Sequence, residues 1–353
     1  MRVAKKLHRV FGLILALWLV PASLTGAVLL YKNSLLQWLY PQLQQPLITD
    51  LAIWGKVLDT LPQTDYNFVR LATTERPWLE LARLDGTLEY WSASGQLLLS
   101  RSQYEDFIGW FYEFHLHLFS AELGEQIMGV LGLLALLLIG SGLWHSWPRH
   151  WGWRLWRLPL SAPAIRWSRQ WHFVIAFWAT PLLLLSVLSG TAMVYNQQVQ
   201  QGLSWLFRDV EAKTAQIEMS AYPVTQSQWV LWLPAAQQQL PEGVLRLVSF
   251  RKKTEQELSI RAQLSAEWHP NGRTLIKLDP ASSSVLSVQK ATEMGQGKQL
   301  SQLIYPLHMA AVGGDFYKVL LLLTGFIPLI LWVLGMIYHK RREAYSKDKK
   351  TAP

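Results

Sequence analysis

Six of the nine histidines fall into three pairs: His8 with His172, His117 with His308, and His145 with His339. An internal repeat sets up the pairing. Lys6-Leu7-His8-Arg9-Val10 answers Gln170-Trp171-His172-Phe173-Val174, Leu24-Thr25-Gly26 answers Leu188-Ser189-Gly190, and Tyr31 answers Tyr195, all at an offset of 164 residues. Later, Ala93-Ser94-Gly95-Gln96-Leu97-Leu98 answers Ala281-Ser282-Ser283-Ser284-Val285-Leu286 at 188, and Leu116-His117 answers Leu307-His308 at 191. Gly142 before His145 answers Gly335 before His339. A lone interfacial histidine is ordinarily a polar anchor, but paired histidines on symmetric helices point elsewhere. Two imidazoles projecting across a pseudo-twofold axis suit axial ligation of a planar porphyrin, because imidazole is a standard haem ligand and facing helices build cofactor sites. Zinc or copper more often takes three or four protein ligands. The chain has no cysteine, which excludes disulfides, thiolate metal sites and c-type attachment, so any haem is b-type and non-covalent.

The outer pair is read as His117 with His308. His115 lies two residues from His117, about 200° round a helix, so only one of them can face a bundle axis. At the offset of 191 His115 meets Pro306, which selects His117. The inner side holds His8, His172, His145 and His339, enough for one haem or two. His8 with His172 ranks first, because their flanks align without a gap as far as Tyr31 and Tyr195. The other pair slips, with three residues from Gly142 to His145 and four from Gly335 to His339. One haem at each face, two in all, is the expectation. His150 and His269 have no partner in the repeat and read as surface residues. Trp110, Phe111 and Tyr112 suit either an interfacial aromatic belt or a substrate platform.

The elements that must position these histidines are long apolar runs at about Val10–Leu30, Ile127–Trp144, Val174–Val194 and Val319–Ile337, each about long enough to cross a bilayer. The 28 residues from His117 to His145 would span about 42 Å as one helix, close to a full membrane thickness. Half of the 353 residues are apolar, 16% are charged, and nineteen are tryptophans that gather near span ends. A net charge of +9 suggests nucleic acid, but its distribution decides against that. The N-terminal region, the 146–171 connection and the tail hold 15 of the 33 basic residues in three short stretches, which places both termini in the cytoplasm and both long loops outside. The first span resembles a signal peptide with Pro21-Ala22-Ser23-Leu24-Thr25-Gly26-Ala27 as a cleavage region, but its length favours an uncleaved anchor.

The two loops carry strand-like alternation, with hairpin signals at Asp85-Gly86 and Asn271-Gly272. The expected layout is a first span over 1–31, an α+β module over 32–113 and a second span over 114–147. A basic cytoplasmic loop over 148–171 and a third span over 172–196 follow. A second module occupies 197–306, a fourth span 307–339 and a basic tail 340–353. This is a four-helix membrane bundle from a tandem duplication, with parallel repeats and two extracytoplasmic α+β modules.

The Leu-His ahead of the second and fourth spans, the glycine and aromatics before a basic exit, and Asp279-Pro280 followed by Val285-Leu286 resemble the PepSY-associated transmembrane family over nearly the whole chain. Its outside modules are PepSY domains. Its members include iron-regulated inner-membrane proteins and ferric-siderophore reductases in which transmembrane histidines hold haem. The resemblance implies a multi-pass protein of the bacterial inner membrane that passes electrons outward to a ferric siderophore in iron uptake. With no flavoreductase domain attached, the donor is another cytoplasmic protein or a quinol. Ser282 to Ser284 depart from the Thr-Gly usual in the second module's Asp-Pro-x-Thr-Gly. Two other classes stay open on the residues: a non-redox PepSY protein that restrains a protease or senses the envelope, and a transporter.

Overall fold

The computed structural model describes residues 2–62, 65–147, 163–210, 228–250, 258–279 and 282–351. The chain divides into two compact units: residues 1–30, 111–195 and 307–353 form one, and residues 31–110 and 196–306 form the other.

In chain order the helices are α1 (Arg2–Leu29), α2 (Lys32–Leu39), α3 (Leu51–Asp59), α4 (Phe107–His117), α5 (Ala121–Ser146), α6 (Ala164–Val194), α7 (Asn196–Phe207), α8 (Trp229–Gln239), α9 (Gln296–Ser301), α10 (Ile304–His308) and α11 (Gly314–Thr351). The strands are β1 (Tyr66–Arg70), β2 (Leu79–Arg83), β3 (Leu88–Trp91), β4 (Leu97–Arg101), β5 (Val244–Ser249), β6 (Leu258–Gln263), β7 (Thr274–Asp279) and β8 (Ser284–Gln289).

The first unit is a helix bundle. Its four long helices hold apolar stretches sufficient to cross a membrane, over Lys6–Leu29, Ala121–Trp144, Ile165–Val194 and Gly314–Tyr345. Many of their large apolar side chains point outward, including Leu17, Leu137, Trp178 and Leu323, as lipid-facing helices require. α1 packs against α5 and α11, and α6 packs against the same two. Small residues let these backbones approach: a Cβ at Gly132 would stand 2.2 Å from Thr191 Oγ1, and one at Gly325 would stand 2.6 Å from Ala27 Cβ.

The continuous helix expected from His117 to His145 is broken. α4 ends at His117, and Leu118, Phe119 and Ala121, the first residue of α5, all take positive φ. His115 and His117 therefore belong to a separate short helix. An equivalent break follows His308, where Ala310, Gly313 and Gly314, the first residue of α11, take positive φ. The connection over 148–162, with His150, Arg149, Arg154 and Arg157, lies outside the described residues.

The second unit gathers both long loops, which share one antiparallel sheet of order β4-β3-β2-β1-β5-β6-β7-β8. The two expected modules are thus four-stranded halves joined by β1 and β5, with Val69 opposite Val248 at the seam. α3 and α8 contribute Trp54, Leu58, Trp229, Trp232 and Leu233 to a core shared with Val69, Leu81, Val248, Ile260 and Ile276. The Asp59 carboxylate at the end of α3 accepts from the Trp229 and Val230 amides and so caps α8. Both hairpin signals form turns, with Gly86 and Gly272 at positive φ. Ser283 stands where the family motif has glycine and keeps the left-handed φ of 54°. Its hydroxyl accepts from Trp232 Nε1, and Ser282 donates to Asp279, so side-chain bonds offset the strain.

Candidate functional site

The bundle brings His115 and His308 together. Their ring centroids lie 6.1 Å apart and their planes differ by 29°. Each ring rests on the neighbouring long helix at a glycine. A Cβ on Gly26 would lie 2.7 Å from His115 Cε1, and one on Gly190 would lie 2.9 Å from His308 Cε1, so only glycine allows either imidazole to sit there.

Both rings are anchored through Nδ1. His115 Nδ1 donates to the Ala22 carbonyl at 2.9 Å, with Thr25 Oγ1 at 3.5 Å. His308 Nδ1 lies 3.0 Å from Ser189 Oγ. That hydroxyl already donates to the Leu185 carbonyl at 2.6 Å, so it accepts the imidazole proton. In each neutral ring the lone pair is thereby on Nε2. This is the tautomer that metal-binding histidines adopt when a second partner fixes the other nitrogen. Thr25, Gly26, Ser189 and Gly190 were seen in the sequence only as repeat markers, and they form the seats of the two rings.

The sequence pairs His308 with His117, whereas the structure sets His115 beside His308. His117 Nδ1 lies 2.9 Å from the buried Glu113 carboxylate, one turn back on α4. The two-residue Leu-His match at 191 misled, because the turns between short and long helices are what the repeat must preserve. His115 lies six positions before the first residue of α5, and His308 lies six positions before the first residue of α11. The offset is then 193, which also relates Gly132 to Gly325 and Gly142 to Gly335. Those glycine pairs were the available signal.

The inner histidines use the same device. His8 Nδ1 lies 2.9 Å from Ser141 Oγ, whose hydroxyl donates to the Leu138 carbonyl at 2.8 Å. A Cβ on Gly142 would approach His8 Cε1 to 3.0 Å. His172 Nδ1 donates directly to the Leu331 carbonyl at 3.1 Å. Leu138 and Leu331 are again 193 apart, and Leu334 stands where Ser141 would correspond. His339 differs, with Nε2 3.4 Å from Glu343 Oε1 and Nδ1 buried with no hydrogen-bond partner among the described residues. The His145 side chain lies outside the described residues.

His269 is corrected from surface to core, being only 4% exposed. It stacks on Tyr305 at 4.7 Å, and burial, with Arg273 and Arg261 adding, pushes its pKa down to about 3. Trp110 is half exposed and donates to the Tyr104 carbonyl, against whose ring it packs.

A sequence model of the PepSY-associated TM region matches residues 5–342, nearly the whole chain. The chain belongs to the PepSY-associated transmembrane family. No curated protein matches it. As a family member with four helices, among the described residues, long and apolar enough to cross a membrane, it is a multi-pass membrane protein with a PepSY-like antiparallel sheet.

The two facing rings can be tested against the cofactor that paired histidines suggest. Two imidazoles on one metal, with metal–nitrogen bonds of about 2.0–2.1 Å, put their ring centroids about 6 Å apart. The His115–His308 spacing of 6.1 Å fits, as does the tautomer. Among the described residues no group of three or more His, Cys, Asp or Glu could hold a bare metal ion. A two-imidazole donor set suits a metal whose other ligands come from a macrocycle.

Proposed function

We propose that this protein is a b-type haem protein of the bacterial inner membrane. It moves electrons from the cytoplasmic side to a periplasmic acceptor, and the favoured acceptor is a ferric siderophore. The observation that carries this reading is the pair His115 and His308, each seated on a glycine and held through Nδ1. His115 and His308 would hold the outer haem, and His8 and His172 are assigned to the inner one. A bound haem supplies one-electron transfer, enough to convert a tightly chelated iron(III) to iron(II), which hard oxygen ligands hold far less well.

The chain's own contribution is ligation and orientation. The Ala22 carbonyl and the Ser189 hydroxyl fix the ring planes and raise the basicity of Nε2. Glu113 holds His117 on α4 and so keeps a second imidazole out of competition. The inner rings are set by Ser141 and by the Leu331 carbonyl. Electrons enter from a cytoplasmic protein or a quinol.

The bundle supports descent from a tandem duplication with offsets of 164 and 193. Thr25 and Ser189 accompany His115 and His308, and Gly132 on Thr191 mirrors Gly325 on Ala27. Both termini are assigned to the cytoplasm from the basic-residue asymmetry.

The test is an absorption spectrum of the detergent-purified protein, oxidised and dithionite-reduced, made with ample haem supply. Absence of a Soret band would overturn the haem assignment. The anaerobically reduced protein is then mixed with ferric siderophores and a ferrous-iron trap. Reoxidation with iron(II) release is expected, much slower in His308→Ala. Reduced protein that ignores every ferric chelate but reoxidises with another acceptor would sink the iron reading alone.

A further inference from the structure

α3 and α8 pack on one face of the eight-stranded sheet, and the opposite face carries charge. Cross-strand register sets Arg70, Leu247, Arg261, Leu275 and Gln289 in one row. The neighbouring row, Val69, Val248, Ile260, Ile276 and Val288, faces the core, and alternation sends the first row to the other side. Arg246 joins that side at the bulge in β5, where its Nε donates to Gln263 at 2.9 Å.

Tyr305 links two groups of cations on this face. Arg76 and Arg273 both lie within its electrostatic reach. Around Arg76 stand Arg70 and Lys32, which share the buried Glu80 carboxylate. Around Arg273 stand Arg261 and His269, with Arg273 Nη2 3.0 Å from His269 Nε2. Glu267 is the carboxylate nearby, and the Leu264, Arg273 and Thr274 amides and the Thr274 hydroxyl already occupy it.

Glu80, shared by Arg70, Lys32 and Arg76, and Glu267, beside Arg273, are outnumbered by these cations. Burial lowers the pKa of Arg246 and of Arg261, and among the described residues no carboxylate offsets it. The Nε atoms of Arg76 and Arg273 are buried with no acceptor among the described residues. A buried guanidinium N–H without an acceptor is costly, and carboxylate, phosphate or catecholate oxygens are its natural partners. Neutral His269 stacked on Tyr305 supplies a flat wall between the two groups.

We infer that Arg76, Arg261 and Arg273, gathered round Tyr305 and His269, form a binding site for a multiply charged oxyanion, and that the ferric complex this protein takes carries net negative charge. The second half rests on the acceptor reading above; the first half does not.

The experiment uses redox-inert gallium(III), so binding is measured without electron transfer. Full-length oxidised protein in neutral detergent is dialysed against trianionic gallium(III) tris-catecholate or neutral gallium(III) tris-acetohydroxamate, and retained gallium is measured. The anionic complex should bind at least tenfold tighter and weaken as salt rises. Arg261→Gln and Arg273→Gln should each cost about tenfold or more, with Arg273→Lys in between. Circular dichroism unchanged from the parent confirms that a variant is folded; if the glutamine variants misfold, the charge comparison on the parent alone decides. Equal binding of the two complexes, or folded glutamine variants that bind like the parent, would overturn the site. Normal gallium binding with no reoxidation by any ferric chelate would leave the anion site standing and remove the acceptor reading. Loss of gallium binding in nanodiscs containing phosphatidylglycerol, but not in phosphatidylcholine alone, would assign the anion to a lipid phosphate and overturn the chelate.

Discussion

Gly26→Ala is the sharpest probe of the outer site, because it adds one methyl group and leaves every proposed ligand residue in place. The new Cβ would stand 2.7 Å from His115 Cε1 and 3.3 Å from both ring nitrogens. Carbon atoms rest at about 3.5 Å or more, so the ring must retreat by about 0.8 Å. Retreat pulls Nδ1 from the Ala22 carbonyl, now at 2.9 Å, and displaces Nε2 by a similar distance. Overpacking of this kind costs about 1–3 kcal/mol in the bundle, which leaves it folded. A metal–imidazole bond of about 2.0–2.1 Å does not survive a displacement of that size. Gly190→Ala should act alike through His308, where the contact would be 2.9 Å. The assay is haem per polypeptide with reduced-minus-oxidised spectra in matched preparations. Each variant should lose the outer part of the b-type spectrum and keep the inner part. His115→Ala should match them, and His117→Ala should keep both. Unchanged spectrum and potential in Gly26→Ala, or loss of the outer haem in His117→Ala alone, would refute the assignment of His115.

Two other outcomes are expected. Burial alone would raise the pKa of Glu80, yet Arg70, Lys32 and Arg76 hold it down to about 2 from 4.5. A depressed carboxylate stabilises the fold above its unfolded pKa, so on the order of 3 kcal/mol should be lost as pH falls from about 4.5 through 2. Tryptophan-monitored melts across that window should show it, and Glu80→Gln should flatten the dependence; an unchanged slope in that variant would count against the pairing. Reporter fusions near residues 70 and 240 should be active only for a periplasmic reporter, and a cytoplasmic reporter active at either point would reverse the layout.

The sequence by itself determined the four spans, because lipid admits only long apolar segments whose backbone satisfies itself. It determined the hairpins at Gly86 and Gly272, where local chemistry sets the turn, and it singled out His8, His172 and His308, which the structure seats in matching ways. Tertiary structure decided the rest. Pairing of β1 with β5 joins residues about 180 positions apart, and a strand edge carries no label for its partner in the sequence. The choice between His115 and His117 turned on three positive-φ residues after α4, which end the helix and reset which ring faces α1. Burial of His269 depended on its stack against Tyr305, a contact between distant segments that no local pattern announces. Periodicity and composition report what a segment can bury; only packing reports against what.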